Sequence, residues 1–302
     1  MPPGFFCHLI NTCKLLAMIT VRLYNYKSGM WELNTEKMCQ PDKAIVLKIS
    51  QSADSVEDSQ GMTKVDKGNV FSKIDSHKMF DRIAARYDLL NHVLSFGQDL
   101  AWRAKAGRLI RDYPHDTVLD LACGTCDLLL SAFRYNKDIR CGIGIDMADN
   151  MLRIGFDKIR TRGLARKICL AKGDGMDLPV ADCAVDFAMI SFGIRNMADP
   201  AKSLSELYRI LKQGGRLAVL EFSLPKNRLI KAVYLIYFRK ILPRIGGLIS
   251  GDRFAYSYLN RTVEEFYYGK QFCDMMGNAG FANIEMKPLT FGIVTIYVGE
   301  KI

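Results

Sequence analysis

The chain has 302 residues, 49% of them hydrophobic and 25% charged, with a formal net charge of +10. That composition excludes a low-complexity or collagen-like chain and supplies enough apolar material for a substantial core. No run approaches the ~18 uncharged apolar residues of a membrane span, and nine cysteines, an odd number without a regular framework, argue for a reducing compartment over a disulfide scaffold.

Residues 1–61 carry six basic and six acidic side chains, so residues 62–302 hold the whole positive excess, 36 against 26. A basic domain favours an anionic partner, either a phospholipid surface or nucleic acid. The first 30 residues lack an acid and carry Lys14, Arg22 and Lys27 among apolar neighbours. His8, Asn11, Thr12 and Lys14 interrupt the apolar part, and no small-residue cleavage site follows, so this is a poor targeting peptide. SQSADSVEDSQG at 50–61 is polar and expected to be disordered. Residues 1–69 are therefore expected to be a poorly ordered extension, a tail or an upstream mis-start, with the functional chain beginning near Met62 and a domain over 70–302.

Residues 71–112 read as helical. Ile83, Tyr87 and Leu90 recur at helix spacing, Trp102, Ala106, Leu109 and Ile110 form a second face, and Gly97 separates the two. A helical cap over 70–112, packed on a sheet where a substrate lid would lie, is the expectation.

At Thr117 the pattern changes. Val118-Leu119-Asp120-Leu121 is a short apolar run that breaks at Gly124, as a buried strand meeting a loop does. Glycine there lets the backbone approach a ligand. Asp127-Leu128-Leu129-Leu130 opens a helix whose first free N–H groups face the same place. A second strand, Cys141 to Ile145, ends in Asp146, placed to accept hydrogen bonds from the hydroxyls of a ribose. Strand, glycine loop, helix, strand and acid make a nucleoside-binding βαβ unit. The loop Cys123-Gly124-Thr125-Cys126-Asp127 lacks the third glycine of a dinucleotide fingerprint, and Asp127 would repel a pyrophosphate. An acid suits a cationic, phosphate-free nucleoside such as S-adenosylmethionine.

Further along, helix 150–161 leads to a strand at 167–172 and to Asp174-Gly175. The run 187–191 gives a fourth strand ending at Ser191, and helix 200–211 is read as stopping at Gly214-Gly215 before strand 216–221. Strands alternating with helices make a parallel, doubly wound sheet with its ligand at the carboxyl ends of the strands. Asp120, Asp146, Asp174 and Ser191 all fall near such ends. Residues 226–250 break the pattern, with Lys226, Arg228, Lys231, Arg239, Lys240 and Arg244 among apolar residues and no acid. A basic amphipathic insertion of this kind lies on an anionic membrane or packs on the domain with a solvated basic edge. A helix through Met275 and Met276, then strands 284–288 and 293–298, close the sheet with an antiparallel hairpin.

The blocks FDRIAARYDLLNHVLSFGQDLAWR (80–103), LDLACGTCDL (119–128), DMADNML (146–152), ISFGIRNMAD (190–199) and RILKQGGRLAVLEFSLP (209–225) carry a resemblance to the ubiquinone/menaquinone biosynthesis C-methyltransferase family over about 70–302. The resemblance implies an α/β, Rossmann-like class I S-adenosylmethionine-dependent methyltransferase with an antiparallel C-terminal strand. It implies S-adenosylmethionine as methyl donor, with no metal, held by Thr125, Asp146, Asp174, Gly175 and Ser191. Gly124 would permit close approach, and Asp120 would orient the loop or meet the methionine ammonium. The family has glycine where this chain has Cys126, whose Cβ would crowd the ligand or restrict a positive φ, and which creates a Cys123-x-x-Cys126 pair. Gly175 replaces a more usual alanine.

The implied substrate is a polyprenylated quinol, benzoquinol or naphthoquinol. Its ring carbon ortho to an ionised hydroxyl would take the methyl group, with the site supplying alignment and exclusion of water. Arg195 and Asn196 are the catalytic candidates. Arginine stays protonated, so its role would be to stabilise the phenolate or position a water, against the alternative of a structural ion pair. Tyr87, Asn91 and Asp252 would line the substrate pocket, and the 226–250 helix would receive the prenyl tail. A cytoplasmic protein, peripheral on the inner face of the membrane, without nucleic acid and in a homo-oligomer or quinone-biosynthesis complex, follows from the same resemblance. Other readings are methylation of a different lipid, a nucleic-acid methyltransferase, against which the absence of an N/D-P-P-Y/F motif counts, and a non-catalytic cofactor-binding protein.

Overall fold

The computed structural model describes residues 22–25, 30–33, 76–250 and 253–302, with side chains over 76–246 and 258–302. The expected chain start near Met62 and the polar run 50–61 lie outside the described residues. Strands β1 (Arg22–Asn25) and β2 (Met30–Leu33) pair antiparallel within the segment expected to be poorly ordered, and β1 meets the main sheet through Leu23 opposite Ala171.

Five strands make the parallel body of that sheet: β3 (Thr117–Leu121), β4 (Cys141–Asp146), β5 (Ile168–Lys172), β6 (Val185–Ser191) and β7 (Leu211–Phe222). Strands β8 (Ala282–Leu289) and β9 (Val294–Glu300) complete it, and the spatial order is β2-β1-β5-β4-β3-β6-β7-β9-β8. β9 runs antiparallel to β7 and β8 antiparallel to β9, as the C-terminal hairpin was expected to do. The order reverses at β3, which pairs with β4 on one side and β6 on the other. A crevice opens at such a reversal, beyond the carboxyl ends of the strands.

Helices cover both faces, which is why the parallel strands read as unbroken apolar runs. On one face α2 (Gln98–Leu109), α3 (Asp127–Tyr135) and α4 (Asp149–Thr161) pack Trp102, Leu129, Phe133 and Ile159 against Val118 and Phe187. On the other, α5 (Pro200–Ile210) and α9 (Lys270–Asn278) pack Leu204, Leu207 and Phe272 against Leu119, Ile145 and Tyr297.

A third layer sits over the strand ends. Helix α1 (Ser76–Leu94) contributes Met79, Ile83 and Leu90 to a cluster with Tyr234, Phe238, Leu242 and Val263. The last four belong to the 226–250 insertion and its continuation: α6 (Arg228–Ile236), a π-helical turn at Tyr237–Ile241, α7 (Leu242–Ser250) and α8 (Arg253–Glu265). The cap is thus built from both ends of the domain, and the insertion packs one face on it while Leu229, Val233 and Ile236 remain exposed.

One boundary differs from expectation. Helix α5 starts as read, with Pro200 in its first turn and Asp199 accepting from the Lys202 N–H at 3.0 Å, but it ends at Ile210, where Leu211 turns extended to pair with Val185. Gly214-Gly215 lies inside β7 and serves a bulge between the Val185–Leu211 and Phe187–Arg216 pairs. Gly214 sits at φ +75°, and a Cβ on Gly215 would lie 2.8 Å from the Lys212 carbonyl and 3.0 Å from that of Asp186. The glycines serve strand geometry here, and local punctuation alone reads the same as a helix stop.

Asp120 is the polar residue in the buried run of β3, with no exposed surface. Its Oδ2 accepts from the Leu129 N–H at 3.1 Å, tying β3 to the first turn of α3, while its Oδ1 has no partner among the described residues. Burial pushes this carboxyl well above the usual range, against the Leu129 hydrogen bond. A folded-state pKa raised above the unfolded one gives stability that is complete below the unfolded value and lost as pH rises through the folded one. Asp120→Asn keeps an acceptor for Leu129 and removes that titration. Its stability relative to the parent should therefore increase as pH rises above the ordinary carboxylate range, by up to about 1.4 kcal/mol per pH unit between the two pKa values, in denaturant melts. A relative loss with rising pH would mean a paired, depressed carboxylate.

Candidate active site

The crevice beyond β3 and β4 is shaped by one carboxylate. Asp146, at the tip of β4, accepts the Gly124 N–H on Oδ2 and the Ala148 N–H on Oδ1, both at 2.8 Å. One bond anchors the loop after β3 and the other the residue before α4. Burial raises the Asp146 carboxyl, and the backbone donors of Ala148 and Gly124 pull it back. Each oxygen keeps a lone pair for a further donor. The loop reaches this geometry through Ala122, Gly124 and Cys126, all in the left-handed region at φ +51°, +52° and +65°.

A cavity of about 140 Å³ opens at this point. Gly124, Asp146, Asp174, Gly175 and Ser191 line it, so five of the seven expected cofactor contacts converge there from four strand ends. The Asp174 Oδ1 accepts the Met176 N–H at 2.9 Å, which leaves its other oxygen uncommitted to that turn. A Cβ on Gly175 would stand 3.0 Å from the Met197 thioether and its methyl group, a neighbour able to move; one on Gly193 would stand 2.6 Å from the Cβ of Ala122. The lining has two carboxylates and no lysine or arginine, an acceptor set that fits a cationic nucleoside and disfavours a phosphate. S-adenosylmethionine meets both requirements.

Two other expected contacts lie outside that lining. Thr125 is buried, and its hydroxyl donates to Asp88 Oδ1 at 2.6 Å while the Lys158 ammonium donates to it at 3.0 Å. Asp120 stays beneath the loop, on the helix side already described. Asp127 is drawn aside by an ion pair with Lys158 at 2.6 Å, so the negative charge ascribed to it comes from Asp146 and Asp174. Cys126 adopts the positive φ that glycine would favour. Its thiol points away from the cavity, so close to α4 that a Cβ on Gly155 would lie 2.5 Å from it, and stands 3.9 Å from that of Cys123. Burial pushes the Cys123 thiol well up, which leaves it unreactive.

A second cavity, of about 250 Å³, adjoins the first beneath the cap. Phe80, Tyr87, Phe192 and Asn196 line both. Its walls are largely aromatic: Phe192 and Phe222 lie 4.5 Å apart, and Trp102 stands edge-on to Phe222 at 6.4 Å. Tyr87 and Asn91 line it as expected, and Asp252 lies outside the described residues. Arg195, in the 3-10 turn Ile194–Asn196, projects into the same space although only 4% exposed. Its Nη1 donates to Glu221 Oε1 at 2.6 Å and to the Phe192 carbonyl at 2.7 Å. Arg195 therefore forms the ion pair of the alternative reading, and it also faces the cavity. A second guanidinium, Arg103, is held by Asp99 at 2.6 Å on the same cavity.

Sequence reasoning missed Glu221, Tyr234 and the lining residues Ser76, Phe80, Met147 and Met197. The signals were present for two of them: Met147 follows the strand-end acid, and Glu221 lies one residue before the end of β7, beside β6 in the sheet. Among the described residues no group of three or more His, Cys, Asp or Glu is placed to hold a metal ion.

Residues 67–301 match the model of the ubiE/COQ5 methyltransferase family. The chain is 44% identical over 224 residues to a ubiquinone/menaquinone biosynthesis C-methyltransferase of Geotalea daltonii, covering 74% of this chain and 95% of that protein. A demethylmenaquinone methyltransferase of Thermus thermophilus is 44% identical over 223 residues, covering 74% and 100%. In solved structures the fold is similar to an S-adenosylmethionine-dependent methyltransferase of Thermotoga maritima (TM-score 0.53, 20% identity, 74% and 99% covered). It is also similar to a methyltransferase of Haloferax volcanii held with its Trm112 activator (0.52, 20%, 73% and 96%). The chain belongs to the ubiE/COQ5 methyltransferase family.

Proposed function

We propose that the protein transfers a methyl group from S-adenosylmethionine to a ring carbon of a polyprenylated quinol. The observation that carries this reading is the junction of two unlike cavities at Phe80, Tyr87, Phe192 and Asn196. One is acidic and glycine-rimmed, and the other is aromatic, larger and furnished with Arg195. Relatives named for demethylmenaquinone and ubiquinone/menaquinone C-methylation support the choice of acceptor.

S-adenosylmethionine, when bound, supplies an electrophilic methyl group on a sulfonium. Asp146 accepts the ribose hydroxyls with the lone pairs left over from Gly124 and Ala148, Asp174 takes an adenine amino group, and Ser191 closes the rim. Gly124 keeps the backbone close. Arg195 remains a cation and is not the base; its guanidinium stabilises the quinol oxygen whose proton passes to a water positioned beside it. The electron-rich ortho carbon then takes the methyl as the sulfur–methyl bond breaks to leave S-adenosylhomocysteine, and the hydrogen of that carbon leaves as a proton when the ring regains aromaticity. Asn196, on both cavities, positions that oxygen at the junction. The aromatic walls and the cap of α1 and α6–α8 exclude water from the transfer. Asp120 and Thr125 act one layer back, holding the loop and α4 in place.

The prenyl tail follows the apolar path under the cap towards Phe96, which is 79% exposed. Nearby on α6, Leu229, Val233 and Ile236 face outward beside Arg228, Lys231 and Lys240. Outward apolar side chains ringed by cations suit a peripheral contact with an anionic leaflet, on the cytoplasmic face in this reading. No helix of the described residues is long and apolar enough to cross a membrane.

The test is an assay with methyl-labelled S-adenosylmethionine and reduced demethylmenaquinol or its benzoquinol counterpart in detergent. Label is expected on a ring carbon, and the ring that accepts it identifies the quinone. Asp146→Ala should raise the cofactor Kd about 10- to 100-fold, the range for losing hydrogen bonds to a charged acceptor. Cofactor binding without transfer to either ring would remove the quinol reading. Flotation with vesicles of anionic phospholipid should carry the protein at low salt, less so at 0.5 M salt and less with Leu229→Asp/Val233→Asp; equal recovery with neutral and anionic vesicles would remove the charged-membrane contact.

A further inference from the structure

The wall of the larger cavity holds polar atoms that the protein itself leaves unmatched. Along its lining the Tyr234 and Tyr258 hydroxyls, Arg195 Nε and Asn196 Oδ1 are all buried and without a hydrogen-bond partner among the described residues, and Glu221 Oε2, on the residue paired with Arg195, is unmatched as well. Buried polar groups are rarely left so, because each loses its water and gains nothing in return. Four in one neighbourhood mark a place prepared for a polar ligand.

Tyr234 is the member on α6, and no hydrogen bond to the protein occupies its hydroxyl. It is 8% exposed, on α6, and lines the cavity with Arg195 and Asn196. Its ring stacks on Phe238 at 5.2 Å, which sets the direction of the hydroxyl before any ligand arrives. Tyr237, one turn along and lining the same cavity, donates to the Leu94 carbonyl at 2.8 Å. Tyr237 thus finds a protein acceptor, and Tyr234 does not. Burial pushes the Tyr234 hydroxyl up, against the pull of Arg195, so it stays protonated and acts as a donor.

We propose that the Tyr234 hydroxyl donates a hydrogen bond to a ring oxygen of the quinol and, beside Arg195, holds the acceptor ring with its reacting carbon at the junction of the two cavities. This rests on the quinol reading above. Tyr234 takes no proton in the reaction. It offers a fixed neutral donor to oxygen that gains negative charge, in a space closed to water, where such a donor acts most strongly.

The test compares Tyr234→Phe with the parent in the full chain, using labelled S-adenosylmethionine and reduced demethylmenaquinol. Expected is a loss in kcat/KM of about 100-fold, the scale of a removed oxyanion donor, with the cofactor Kd unchanged. The melting temperature should stay the same or rise, because the lost hydroxyl had no partner, whereas Tyr237→Phe should melt lower. A quinol analogue lacking one ring hydroxyl should be a poorer substrate for the parent and lose nothing further in Tyr234→Phe. Parental kcat/KM in Tyr234→Phe, fully additive losses with both mono-hydroxy analogues, or a lowered melting temperature that accounts for the lost activity would each overturn the proposal. No transfer to either quinol by the parent chain would instead remove the quinol reading, and this inference with it.

Discussion

Two hydrogen bonds to one carboxylate hold the site together. The loop after β3 and the start of α4 come from different strands, and each would be free to drift from the crevice. Asp146 takes a backbone N–H from both, at 2.8 Å, and in doing so fixes the left-handed turn at Gly124. A half-buried acceptor with two donors is costly to disrupt, because two N–H groups would lose their partner at once. The parallel sheet supplies the position: β3 and β4 are neighbours at the strand-order reversal, so their ends must meet. Asp120 repeats the device one layer down, joining β3 to α3 through Leu129.

The second cavity depends on the cap, and the cap on long-range packing. Helix α1 precedes the five parallel strands and α6–α8 follow β7, yet Met79 and Ile83 share one cluster with Tyr234 and Phe238. That closure brings Tyr87 to both cavities and sets Arg195 against aromatic walls, its guanidinium 5.2 Å from the centre of the Phe222 ring. The Arg195–Glu221 pair is buried on both sides. An isolated guanidinium would be expensive there; paired with Glu221 it keeps its charge and fixed orientation while Nε remains available. The same insertion that closes the cavity keeps a second apolar face, Leu229, Val233 and Ile236, exposed on α6.

Much of the fold was legible because buried parallel strands announce themselves as apolar runs ended by glycine and an acid. Val118–Leu121 and Cys141–Asp146 emerge where they were read, and Asp146, Asp174, Gly175 and Ser191 share a cavity because they share the carboxyl edge of the sheet. Signals that are identical locally but differ in tertiary setting were not legible. Gly214-Gly215 punctuates a strand bulge and not a helix end, since Leu211 finds a partner in Val185. Asp127 faces Lys158 on another helix and not the ligand. Cys126 occupies a glycine conformation with its thiol turned into the core. Phe80 and Tyr234 reach the site from helices whose sequence reads only as amphipathic, and no spacing rule reveals which of their residues meets a cavity.

The most direct measurement is a crystal structure of the protein with S-adenosylhomocysteine. The ribose hydroxyls should lie within hydrogen-bond distance of the Asp146 carboxylate, with the thioether sulfur turned towards Phe80, Tyr87, Phe192 and Asn196 and the larger cavity open beyond it. A ligand seated elsewhere, or one whose sulfur faces away from that junction, would contradict the division into donor and acceptor cavities on which the whole mechanism stands.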